Sequence, residues 1–123
     1  KRQEIELSAQ ISFVKLASYV GTSSTGSVCE MIGLNVDISG RDVVVVEDIV
    51  DSGLTMKYVT EMLAKYNPRS ISICTLLLKP GNLKVDLDIP YKCFSIPNDF
   101  ILGYGLDYDG YGRNTRDIYT VVE

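Results

Sequence analysis

The chain has 123 residues, 46% of them hydrophobic and 23% charged, with a formal net charge of −4. That length builds one compact domain with a core and is too short for two, and the ordinary apolar fraction excludes a disordered chain. The acidic balance argues against nucleic acid as the partner.

Histidine is absent. This removes Ser-His-Asp and Cys-His catalysis and His-ligated zinc, and it leaves acid–base work to carboxylates, lysine or tyrosine. No apolar run approaches the length of a membrane span and no signal-peptide pattern appears, so no membrane partner and a cytoplasmic location are expected. Cys29, Cys74 and Cys93 are odd in number without metal-type spacing, and they read as buried free thiols in a reducing compartment. The chain opens on Lys1 and runs almost at once into a strand, so it reads as the middle of something longer.

In chain order, Ile11–Tyr19 ("ISFVKLASY") is rich in β-branched and aromatic residues and predicts a strand. Residues 20–27, "VGTSSTGS", are small and polar with two glycines; they are expected to be mobile, as a hairpin tip or a lid. "VCEMIGLNV" reads as the returning strand. "DVVVVED" shows no alternation, which predicts burial on both faces, as in a parallel sheet between helices. A helix follows over 54–66, with Leu54, Tyr58, Val59, Met62, Leu63 and Tyr66 on one face, a Glu61–Lys65 pair, and Asn67-Pro68 as the stop. "SISICTLLL" over 70–78 is another buried strand, which completes a βαβ unit. Shorter strands are expected over 91–94, 101–104 and 118–122.

The chemistry gathers where the valine strand ends. Ligands of a βαβ unit bind at the carboxyl ends of its strands, and there this chain places Glu47, Asp48 and Asp51, then Ser52-Gly53-Leu54-Thr55. Gly53 lets the backbone turn, and the amides of residues 52–55 would face outward at the positive end of the helix dipole, with the Ser52 and Thr55 hydroxyls beside them. That is a phosphate cradle, though not a Walker loop. The neighbouring acids suit a sugar phosphate, either accepting from ribose hydroxyls or holding Mg²⁺. Alternatively, Asp51 or Ser52 caps the helix while Glu47 and Asp48 are solvated strand-end charges.

"VVVVEDIVDSGLT" resembles the phosphoribosyl-pyrophosphate motif of the purine phosphoribosyltransferases. "LASYVGTSSTG" resembles the mobile catalytic loop of the hypoxanthine-guanine branch, "TLLLKP" its purine-contacting lysine strand, and "IPNDFILGYGLDYDGYGRN" its base-binding segment. The resemblance implies an α/β type I phosphoribosyltransferase fold, a mostly parallel sheet flanked by helices. It divides the single domain into a catalytic loop at 18–28, the phosphoribosyl motif at 42–56 and a purine and pyrophosphate segment at 94–114.

The implied activity is purine salvage. Hypoxanthine or guanine would displace pyrophosphate from phosphoribosyl pyrophosphate with Mg²⁺, giving IMP or GMP, in a homodimer or homotetramer. By the same resemblance Glu47 and Asp48 face the ribose hydroxyls and the metal, Asp51 is the catalytic proton acceptor near purine N7, and Ser52, Gly53, Leu54 and Thr55 hold the 5′-phosphate. Leu54 stands where some members carry lysine and offers only its amide. Lys79 would donate to the purine O6, Phe100 would stack on the base, and the Ile101 backbone would read its edge. Asp107 belongs to the purine-binding set and would hold a second Mg²⁺, and Arg113 would pair with pyrophosphate, with Ser18 and Tyr19 near it on the lid. The implied family also has an N-terminal segment supplying a core strand and a pyrophosphate loop, which nothing before Lys1 provides.

Two other readings stay open. A nucleotide-sensing regulator on the same fold should show a basic face or lose catalytic acids. A sister enzyme would prefer xanthine, guanine or a pyrimidine.

Overall fold

The computed structural model of the chain describes residues 8–20 and 27–122, and for 18–20 and 27–29 the backbone alone. A hairpin comes first: β1 (Lys15–Val20) pairs antiparallel with β2 (Ser27–Ile32), Lys15 opposite Ile32. The first strand therefore starts later than expected and the second stops short of residues 33–36. Gly33, at φ 102, interrupts the second strand, and a Cβ there would lie 2.8 Å from the Phe13 carbonyl oxygen.

The central unit is β3 (Asp42–Val50), α1 (Leu54–Ala64) and β4 (Ser70–Leu78), with β5 (Tyr91–Ser95) at the far edge. Both strand pairs are parallel, in the order β3-β4-β5. The crossover helix α1 buries Met56, Val59 and Leu63 against Val50, Ile73, Leu78 and Ile38. Each such side chain removed from water contributes roughly 1.5–3 kcal/mol before its entropic cost. A short β6 (Ile101–Leu102) and β7 (Tyr119–Thr120) form a third, antiparallel pair.

Three expectations are corrected. The valine strand is not buried on both faces: Val44 and Val46 are 55% and 76% exposed, while Val43 and Val45 pack against the core. Among the described residues only one face of β3 meets α1, so a continuous valine run alternates in burial all the same.

The helix ends two residues early and its buried stripe is shifted. Leu54 and Tyr66 are exposed and Met56 takes the inner position. The last turn tightens, with Tyr66 N–H donating to Leu63 O, and Asn67 adopts φ 55 before Pro68. Lys65 Nζ reaches Met62 Sδ at 3.5 Å in place of the Glu61 pair.

The thiols are not all buried either: Cys74 is half-buried and Cys93 exposed, because β5 is an edge strand with all five residues exposed. Cys29's side chain and residues 21–26, where the lid was expected, lie outside the described residues.

Candidate active site

β3 carries Val50 into the core at 2% exposure, and the chain then turns at Asp51-Ser52-Gly53 into α1. Gly53 is the N-cap residue, at φ 82 in the left-handed region. A Cβ there would stand 2.9 Å from Leu87 Cδ1 and 3.0 Å from Val85 Cγ2. Glycine is thus demanded by the backbone angle, while a Cβ would also press on the methyls of Leu87, Val85 and Leu83.

No side chain caps the helix, and Ser52 Oγ accepts only a long 3.4 Å hydrogen bond from Leu54 N–H. Asp51 does not cap it, since its carboxylate is engaged elsewhere. The turn and the first helical residues wall a concavity of about 170 Å³, bounded by residues 47–53 with Thr55 and Met56. Amides at a helix N-terminus with the dipole behind them attract an anion of phosphate type.

β4 delivers the second half of the site. Asp42 lies opposite Ser70 and Val50 opposite Leu78, so Lys79 arrives beside Asp51. Lys79 is 6% exposed, and its Nζ donates to Asp51 Oδ2 at 3.2 Å. The other carboxylate oxygen accepts from the Asn82 side-chain amide, on the 3₁₀ turn Pro80–Asn82. The Asn82 amide foremost, and then Lys79 and Lys84, hold Asp51 below the usual carboxylate range, against the opposite pull of burial.

Asn82 was not legible as a site residue. Its only sequence signal is its place three residues after the lysine, in a Pro-Gly-Asn stretch that reads as a turn.

Glu47 is half-buried near the end of β3, and its carboxyl is pushed up to about 7 by burial first and by the adjacent Asp48 second. Asp48 is exposed, with Oδ1 accepting from the Ile49 amide at 2.7 Å.

The base-binding candidates form a separate cluster. Phe100 is 55% exposed and meets Tyr108 edge-to-face, ring centroids 5.6 Å apart at 87°. Ile101 is buried in β6. Asp107 Oδ1 pairs with Arg113 Nη2 at 2.9 Å, and its Oδ2 accepts from Gly110 N–H at 2.8 Å. Arg113 also donates to the Gly105 carbonyl at 2.8 Å. The structure thus brings Asp107 and Arg113 to each other, and Asp107 also braces its own turn.

Among the described residues no side-chain hydrogen bond or ion pair joins this cluster to Asp51. Nor do three metal-ligating side chains gather there. Ser18 and Tyr19 sit on β1 with their backbones opposite Cys29 and Val28.

A parallel sheet whose strand ends carry an acidic turn, a glycine-capped helix and a buried lysine is the architecture of a nucleotide- or sugar-phosphate-binding α/β protein. Residues 4–109 match the profile of the family described as the phosphoribosyl transferase domain, and the chain belongs to that family, with its type I α/β fold. It is 47% identical over 118 residues to the hypoxanthine-guanine phosphoribosyltransferase of Mycobacterium tuberculosis, covering 95% of this chain and 58% of that protein. It is 43% identical over 107 residues to the hypoxanthine phosphoribosyltransferase of Escherichia coli, 86% of this chain and 60% of that one. A solved hypoxanthine phosphoribosyltransferase from Staphylococcus aureus superposes with a TM-score of 0.79 at 40% identity, over 90% of this chain and 61% of that structure. The chain thus spans about three-fifths of the length of these relatives.

Proposed function

We propose that the protein is a purine-salvage transferase. It moves the 5-phosphoribosyl group from phosphoribosyl pyrophosphate to hypoxanthine, and to guanine, giving IMP or GMP and pyrophosphate. The observation that carries this reading is the buried Lys79 held against Asp51 at the strand ends. A 6-oxopurine offers that site an acceptor for the lysine at O6 and a proton for the carboxylate at N7. Adenine presents a donor where the lysine needs an acceptor, so it is rejected.

In the reaction the purine N9 lone pair forms the bond to C1 of the ribosyl group. The C1–oxygen bond breaks with its electron pair leaving on pyrophosphate, and the N7 proton passes to Asp51. The amides of Ser52 to Thr55 hold the 5′-phosphate, and Glu47 and Asp48 accept from the ribose hydroxyls. Phe100 stacks on the base, the Ile101 backbone reads its edge, and Arg113 leaves Asp107 to pair with the departing pyrophosphate. Ser18 and Tyr19 stand near that pyrophosphate on the closing hairpin.

Among the described residues the carboxylates stand singly or in adjacent pairs, which fits a Mg²⁺ carried in on the substrate's phosphates better than a resident ion, which would need a larger protein cage. Glu47 and Asp48 would hold one such ion and Asp107 a second, and bound Mg²⁺ would supply charge neutralisation at the pyrophosphate. No helix among the described residues is long and apolar enough to cross a membrane. We place the enzyme in the cytoplasm as a homodimer or homotetramer.

The test is turnover of the full-length protein with phosphoribosyl pyrophosphate, Mg²⁺ and each of hypoxanthine, guanine, xanthine and adenine, with and without Asp51→Asn. Turnover of a 6-oxopurine that falls by about a hundredfold or more in the variant supports the reading. Nucleotide binding without turnover of any purine defeats it.

A further inference from the structure

The segment after β4 is fastened to the turn after β3 at three points. Lys79 N–H donates to Val50 O at 3.0 Å, Lys84 N–H donates to Ser52 O at 2.9 Å, and the Asn82 side chain reaches Asp51 between them. Leu83, Val85 and Leu87 close over Gly53. Asn82 is therefore placed by the backbone, its own N–H closing the 3₁₀ turn on Lys79 O at 3.1 Å.

We propose that Asn82 is a positioning residue for Asp51. Its amide holds one carboxylate oxygen while Lys79 holds the other, and it keeps the carboxylate in place once a 6-oxopurine has drawn Lys79 to its O6. The inference rests on the reading of Asp51 as proton acceptor.

The Asp51 side chain is 46% exposed, and a carboxylate turns over a broad two-fold torsion about its last bond. Without Asn82, ligand binding at Lys79 would remove the carboxylate's remaining donor, leaving it free to rotate into water. With Asn82 it keeps one fixed hydrogen bond, from a donor with no role toward the base. The charged groups facing Asp51 are Lys79 at the end of β4 and Lys84 beyond the turn, with Glu47 and Asp48 on its own strand. Asn82 is the neutral partner among them, able to hold the carboxylate without competing for the substrate's phosphates.

The experiment is a mutant cycle in the full-length protein, with hypoxanthine, phosphoribosyl pyrophosphate and Mg²⁺. Asn82→Ala is expected to lower kcat about tenfold, the worth of a hydrogen bond to a charged group, while both KM values stay within about twofold. In an Asp51→Asn background the same change should cost nothing further, because Asn82 acts through Asp51. Melting curves and GMP binding establish that each variant is folded. If Asn82→Ala fails to fold, Asn82→Ser, polar but too short to reach, carries the same test.

An equal loss in both backgrounds, a rise in KM at constant kcat, or no loss at all overturns the proposal while leaving Asp51 as the base. Undiminished turnover in Asp51→Asn alone overturns the base reading, and this inference with it.

Discussion

The β3–β4 pair is closed at both ends by the same device, in the same register, with opposite consequences. At the start Asp42 is joined 28 residues on by the Ser70 hydroxyl, with the Arg69 guanidinium across both carboxylate oxygens. Just past the other end Asp51 is joined, again 28 residues on, by Lys79, with the Asn82 amide on its second oxygen. The Arg69 and Asp42 side chains are 70% and 53% exposed; that of Asp51 is 46% exposed, but that of Lys79 only 7%. An ion pair that water can replace is worth little and can be lost without trace. A cation taken out of water must keep a partner, so a ligand that displaces Asp51 from it must bring an acceptor of its own. Burial of the cation, more than the identity of the charges, separates the second pair from the first.

Substitution at Lys79 should have the largest effect. Lys79→Met keeps the volume and removes the donor, and turnover of 6-oxopurines should fall about a hundredfold as their O6 loses its partner. Steady-state kinetics on hypoxanthine and guanine check this, and a loss under threefold would mean that the buried pair is only structural.

Next is Gly53→Ala, which tests whether the turn beside the buried pair is under geometric demand. A φ of 82 and a Cβ 2.9 Å from Leu87 should cost about 2 kcal/mol, or about 5 °C in Tm, and weaken phosphate binding. Thermal melting with and without inorganic phosphate reads both effects.

The central unit was largely legible in the sequence, and the reason lies in the residues. Ser70–Leu78 is a continuous β-branched and aliphatic run, and the structure bounds it at those same residues. The acidic turn and its glycine stand next to one another in the chain, so their meeting needs no tertiary knowledge. Asn82 was invisible because its partner is 31 residues away and reaches it only through the strand register and a 3₁₀ turn. The exposure of Val44 and Val46 was invisible for a different reason. A strand's composition states what it can bury, while what covers it is decided by other segments.

Glu47 sharpens the contrast through pH. Its folded pKa of about 7 lies above the ordinary glutamate value. Its contribution to stability is therefore full below about pH 4.5 and lost as pH rises through about 7. In metal-free buffer Tm should fall between pH 5 and 8, and Glu47→Gln should flatten that slope. An unchanged slope would relocate the titration to another group.

The smallest effect belongs to the exposed end. Asp42 is held below the usual carboxylate range by the Arg69 hydrogen bonds first and by the Ser70 hydroxyl second. A lowered carboxyl stabilises the fold above its unfolded pKa and ceases to do so as pH falls through the folded one. Asp42→Asn should therefore lower Tm by no more than about 2 °C at pH 7, with the gap closing below about pH 4 and turnover untouched throughout. Melts across that range, run beside a turnover assay, check it. A large loss of activity would mean that the two ends of the strand pair communicate, and that the register tying Asp42 to Ser70 also sets where Lys79 meets Asp51.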